Sequence, residues 1–141
     1  MAKESFYSAV LLDHFRHSRN KGELDGADIV RRGHNPRCGD EIEVGLYLQG
    51  EKLAQVKFRG RGCSVCMASA SMMTEAVTGC SKQEAYHLWE EMRDLFGDGN
   101  ENDVKHPTNN LQALSVVREY PARQRCVLIS WEALRDALRG L

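Results

Sequence analysis

The 141-residue sequence has no apolar run longer than four residues, as at Ala9–Leu12 and Cys126–Ile129. A helix that spans a bilayer needs about 20, so none is expected here. The first residues, MAKESFYS, lack the apolar core and small-residue cleavage site of a secretory signal. A cytosolic location is the expectation. There is no excess of charge either: 19 basic against 20 acidic residues leave −1. That balance gives no electrostatic reason for nucleic acid or an anionic membrane as the main partner. No internal repeat, low-complexity stretch, phosphate-binding glycine loop or Ser-His-Asp pattern is found. The length suits one core and not two, so residues 1–141 are read as a single domain. With 42% apolar and 28% charged residues, it is a folded one.

What the chain does have is cysteine, at positions 38, 63, 66, 80 and 126. The number is odd, and a cytosolic compartment disfavours stable disulfides. A chain this long also builds a core without covalent staples. Metal binding or thiol chemistry is the expected use of at least some of the five.

Hydrophobic periodicity predicts an α+β fold. Phe6, Val10, Leu11 and Phe15 form the apolar stripe of a first helix that ends before Asn20. Ile42, Val44, Leu46 and Leu48 alternate with more polar neighbours, as on a strand with one buried face. After a turn at Gly50-Glu51-Lys52, Ala54, Val56 and Phe58 alternate again, which predicts a hairpin. Ile29-Val30 is read as a third strand, and Gly60-Arg61-Gly62 as a loop. Ser64 to Val77 reads as a helix stopped at Gly79. Ser81 and Glu84 form a capping box that opens the next helix, through Trp89 and Met92 to Phe96. A long polar loop follows from Gly97 to Asn110. Leu111, Leu114 and Val117 suggest a short helix ending near Pro121. Leu128, Trp131, Leu134 and Leu138 mark a last helix, stopped at Gly140. Strands first and helices after predict a small antiparallel three-stranded sheet with helices packed on one face.

Three cysteines stand where a thiolate is favoured. Cys38 lies in the turn-forming stretch Asn35-Pro36-Arg37-Cys38-Gly39-Asp40, close enough to Asp40 for both to share a metal. Cys63 precedes a helix whose first N–H groups lower a thiol's pKa, and Gly60 and Gly62 would let backbone approach a bound ion. Cys126 follows Arg123 and Arg125 where a loop meets a helix, and their charge favours its thiolate. With Asp40 these give three sulfurs and one oxygen, a plausible tetrahedral set. Cys63-Ser64-Val65-Cys66 also has C-x-x-C spacing, but a zinc ribbon would need a second such pair and a thioredoxin-like site a βαβ setting. Cys66 is better read as a small core residue.

The remaining candidates read as structural. Cys80 packs between two helices, and His34 is a surface residue. His14, His17, His87 and His106 form no metal-ligand pair. The acidic run Asp98–Asp103 fails as a calcium loop, with Asp103 at the glycine position and Asn109 at the glutamate position. Met67, Met72 and Met73 are core.

The segments LLDHFRHSRNKGEL, NPRCGDEIEV, GCSVCMASASMMTEAVTG and PARQRCVLISWEAL resemble the IscU/NifU-type iron–sulfur assembly family over nearly the whole chain. ASASMMTE, the long segment Trp89–Gln112 and the Pro-Ala-Arg ahead of Cys126 resemble its SufU branch most. The resemblance implies that Cys38, Cys63 and Cys126 are the family's essential cysteines and Asp40 its aspartate. It implies a pyridoxal-phosphate cysteine desulfurase as partner, and a downstream iron–sulfur carrier or assembly complex. IscU-type scaffolds carry a histidine just before the last cysteine, where this chain has Arg125. Arginine has no lone pair to give a metal. This favours a SufU-like arrangement, with zinc at Cys38, Asp40, Cys63 and Cys126, sulfur accepted on Cys38, and Arg37, Arg123 and Arg125 offsetting the site's negative charge. Such a protein is at most a zinc-dependent sulfurtransferase. The alternatives are a scaffold carrying a 2Fe–2S cluster on the same ligands, a dithiol oxidoreductase using Cys63 and Cys66, and a purely structural zinc module.

Overall fold

The computed structural model describes residues 2–36, 39–96, 111, 113, 114, 117 and 120–141, with side chains from residue 9 onward. Helix α1 (Ala2–Arg16) leads into three strands, β1 (Ile29–Asn35), β2 (Asp40–Gln49) and β3 (Lys52–Arg61). Helices α2 (Ser64–Val77), α3 (Lys82–Phe96) and α4 (Pro121–Arg139) follow. The sheet is antiparallel in the order β1-β2-β3. The α+β expectation holds. Gly97 to Asn110 lies outside the described residues.

Ile42, Val44 and Leu46 of β2 are fully buried, as their alternation requires. On β3 the buried set is Leu53, Val56 and Phe58, so Leu53 and not Ala54 faces the core. The pairs Tyr47↔Gln55 and Leu48↔Leu53 explain this: a register shift leaves Ala54 as an extra, exposed residue. Such a bulge reverses the alternation beyond it. Gly60 and Arg61 pair with Ile42 and Glu41, so the expected loop is the end of β3.

Helix α2 fills the centre, with Cys66 to Thr74 and Val77 all buried. Its Ala, Ser and small-residue content lets neighbours approach from several sides. Helix α3 opens on the predicted capping box: Ser81 N–H donates to Glu84 Oε1 at 2.9 Å, and Glu84 N–H to Ser81 Oγ at 3.1 Å. Such a cap is worth about 1 kcal/mol. Helix α4 begins earlier than its apolar residues suggest, with Pro121 in its first turn, where a missing N–H does no harm. It lies against α2, α3, β1 and β2. The buried Leu111, Leu114 and Val117 join the same core.

Helix α1 packs Val10 and Leu11 against the core as expected and departs from expectation at Phe15. Leu12 and Phe15 are 46% and 44% exposed, and His14 is buried instead. His14 Nδ1 lies 2.8 Å from Ser71 Oγ of α2. The Arg19 N–H also donates to that oxygen, at 2.8 Å. The Ser71 hydroxyl thus joins the His14 ring and the backbone just beyond α1 to the middle of α2. Nε2 faces Glu75 at 3.9 Å.

Candidate metal centre

Three of the predicted ligands meet at one end of the sheet. Asp40 opens β2, directly across the β1–β2 hairpin from Asn35. Gly39, at φ +74°, closes that turn with its N–H on the Asn35 carbonyl at 3.0 Å. Cys63 follows β3 as the N-cap of α2, where its sulfur accepts the N–H of Cys66 at 3.4 Å. Free amides at this end carry partial positive charge, which suits a thiolate. Cys126 enters from α4. It sits in the second helical turn, not at a loop junction, and it is buried.

Ligand atoms of Asp40, Cys63 and Cys126 all lie within 4.8 Å of one another. Zinc bonds of 2.0–2.3 Å imply tetrahedral edges of about 3.3–3.8 Å, so the side chains need to close by no more than about 1.5 Å. Asp40 Oδ1 accepts the Cys63 N–H at 3.3 Å, whereas Oδ2 is buried with no hydrogen-bond partner among the described residues. An unpaired, desolvated carboxylate oxygen is unfavourable unless a cation meets it. Two soft sulfurs, one oxygen and a position left over fit zinc, and thiolates equally hold iron–sulfur clusters. Arg37 and Cys38 lie outside the described residues.

Gly62 makes the close packing possible. A Cβ there would stand 2.8 Å from Cys66 Sγ and 3.2 Å from Asp40 Cγ. A Cβ on Gly60 would meet the Glu41 carbonyl at 2.1 Å. Both glycines thus admit close protein neighbours around the cluster.

The electrostatics also differ from expectation. Burial, reinforced by the neighbouring Cys63 thiol and the Asp40 carboxylate, pushes the Cys126 thiol up to about 12. Its arginine neighbours do not outweigh this in the metal-free site. A divalent cation reverses the balance, since it binds the deprotonated form. Arg123 does lie against the cluster: the charge of the neighbouring Cys63, and then of Cys126, holds its pKa above the usual arginine value. Arg125 pairs instead with Glu132 at 3.2 Å. Both arginines line a cleft of about 690 Å³ with Asn35, Pro36, Pro121, Ala122 and Cys126.

Cys66 is fully buried in the core, as expected, and unsuited to a dithiol that must reach a substrate. Cys80 is half-buried, its sulfur on the Ala76 carbonyl at 3.5 Å, and burial raises its pKa. The sequence reading missed His14 and Ser71, which hold α1 to the helix that Cys63 caps. The signal was present, since His14 continues the stripe of Val10 and Leu11 at helical spacing.

Residues 6–137 match the model of the NifU-like N-terminal domain. The chain is 38% identical over 135 residues to the zinc-dependent sulfurtransferase SufU of Bacillus subtilis, covering 96% of this chain and 90% of that one. It is 36% identical over 136 residues to the iron–sulfur cluster assembly scaffold protein IscU of Streptococcus pyogenes, covering 94% and 82%. A crystal structure from Fervidobacterium islandicum AW-1, assigned as an iron–sulfur cluster assembly scaffold protein for the SUF system, has the same fold. Its TM-score is 0.82 at 31% identity, with 96% of this chain and 98% of that one covered. The order β1-β2-β3 with α2 and α4 closing over Asp40, Cys63 and Cys126, and a match over almost its full length, make this chain a member of the NifU-like N-terminal domain family.

Proposed function

We propose that the chain serves iron–sulfur cluster biogenesis as a sulfur acceptor of the SufU kind, with zinc held by Cys38, Asp40, Cys63 and Cys126. The observation that carries this is the orphaned Oδ2 of Asp40 in a cluster with two cysteine sulfurs. Cys38 completes the set by covalent reach, since two peptide units keep its Cα within about 7.3 Å of that of Asp40. When bound, zinc keeps these thiols deprotonated and ordered.

The sulfur donor is a pyridoxal-phosphate cysteine desulfurase bearing a cysteine persulfide. The Cys38 thiolate attacks the outer persulfide sulfur, the S–S bond breaks, and the donor's cysteine leaves as a thiolate. Cys38 then carries the persulfide. The cleft beside Cys126 gives the donor's persulfide its way in, and Arg123 faces the negative charge that moves between sulfurs. A downstream iron–sulfur carrier or assembly complex takes the sulfur onward. Described helices are not long and apolar enough to cross a membrane, in keeping with a cytoplasmic site of action.

The likeness to IscU supports a second reading, a scaffold holding a 2Fe–2S cluster on the same four residues. Arg125, which stands next to Cys126 and turns to Glu132, provides no extra ligand for it. Metal analysis of protein purified without oxygen separates the two readings. The sulfurtransferase reading expects colourless protein with one zinc per chain, and persulfide appearing on wild type but not on Cys38→Ala when desulfurase and cysteine are added. A coloured protein containing iron and sulfide in place of zinc would establish the scaffold.

A further inference from the structure

Gly33 belongs to no ligand motif, yet it sits where β1 and α4 come too close to admit a side chain. A Cβ built on it would stand 2.3 Å from the Ile129 carbonyl oxygen, 3.2 Å from the Ile129 carbonyl carbon and 3.3 Å from Ile129 Cγ2. Two of these neighbours are backbone, which cannot rotate away. Helix α4 therefore rests directly on the strand where the side chain is missing.

This contact lies close to the cluster along both elements. Ile129 is three residues beyond Cys126, about 4.5 Å along the helix axis. Gly33 is two residues before Asn35, whose partner across the hairpin is Asp40. We infer that Gly33 is a positioning residue for the metal centre: by letting α4 settle on β1, it sets where Cys126 stands relative to Asp40 and Cys63. The inference rests on the metal-site reading above.

The magnitudes favour it. Relief of the contact to even 3.0 Å needs 3.0 − 2.3 = 0.7 Å of movement between strand and helix. Metal–ligand distances tolerate about 0.2 Å. Val127, Ile129 and Trp131 are fully buried, so the helix cannot bend locally to absorb the shift and carries Cys126 with it. Gly45, one strand away, offers a control. Its Cβ would meet the side chains of Ala27 and Leu24 at 3.2 Å, away from α4.

The test uses the full chain with Co²⁺ as the probe, read by its thiolate charge-transfer and ligand-field absorption and by competition with a chelator. Gly33→Ala, shown folded by circular dichroism, is expected to bind Co²⁺ at least tenfold more weakly than wild type, with changed ligand-field bands. Gly45→Ala is expected to keep the wild-type spectrum and affinity even where its melting temperature falls. Wild-type spectrum and affinity in Gly33→Ala would overturn the inference, as would equal weakening in both variants. Should Gly33→Ala be unfolded in buffer, trimethylamine N-oxide favours the compact state, and the same comparison is read there. A chain still unfolded in the osmolyte would make the contact a requirement of the fold and would also overturn the inference. Failure of wild type to bind Co²⁺ would strike the metal-site reading itself, a different outcome from all of these.

Discussion

The Cys63 N–H donates to Oδ1 of Asp40 at 3.3 Å, while Oδ2 of the same carboxylate is buried and unpartnered among the described residues. One oxygen ties the start of α2 to the start of β2, and the other is free to take a metal. The two oxygens can be separated experimentally, because asparagine keeps an acceptor for the amide and loses the charge.

Asp40→Asn is expected to fold as wild type does and to bind zinc at least tenfold more weakly in competition with a chelator, about 1.4 kcal/mol. Carboxylate is the hardest donor in the set and the one most easily released. If the site carries a cluster instead, Asp40→Ala should make that cluster longer-lived and slower to transfer. Wild-type metal affinity and sulfur transfer in Asp40→Asn would reduce the carboxylate to a cap on its turn.

Cys63→Ala and Cys126→Ala should each lose most bound zinc, as should Cys38→Ala, together with most stimulation of the desulfurase. Cys66→Ser should keep both. Its side chain is fully buried, so the added hydroxyl costs about 1–3 kcal/mol of stability. Zinc content by elemental analysis and a denaturant titration separate the two classes. Full zinc occupancy in a Cys63, Cys126 or Cys38 variant would strike that cysteine from the ligand set.

Arg123 and Arg125 should part company. Arg123 lies beside both cluster thiols, whereas Arg125 is held by Glu132. Arg123→Ala is expected to slow persulfide transfer roughly tenfold with zinc retained, and Arg125→Ala to change it less than twofold. Single-turnover transfer from loaded desulfurase reads this. Equal effects would show that net positive charge in the cleft matters and the Arg123 contact does not.

His14 gives the metal-free protein an acid limit. Burial first, then the Arg19 charge, lowers its pKa below the usual histidine value, against a smaller opposing pull from Glu75 and Asp13. The folded state therefore binds the proton less readily than the unfolded chain. Stability is full above the unfolded value of about 6.5 and declines as pH falls below it toward the folded pKa. Melting temperatures from pH 7 to pH 5, with chelator present, should fall more steeply for wild type than for His14→Gln. Parallel profiles would remove His14 as the cause.

Local sequence determined most of the framework. The apolar alternation of β2, the capping box at Ser81 and the glycine stop after α2 act through nearest neighbours, so a linear reading captures them. It also marked Asp40, Cys63 and Cys126, because glycine, proline and arginine around them report backbone freedom and charge. The inward turn of Leu53 was not legible, since a bulge is decided by pairing with Tyr47 and Leu48 across the hairpin. The exposure of Phe15 and burial of His14 depend on a hydroxyl 57 residues away, at Ser71. The placement of Cys126 in the second turn of α4 follows from where Pro121 lets that helix begin. Its protonated state and the orphaned oxygen of Asp40 arise only when strand and helices exclude water together, because desolvation belongs to the packed site and not to any one segment of chain.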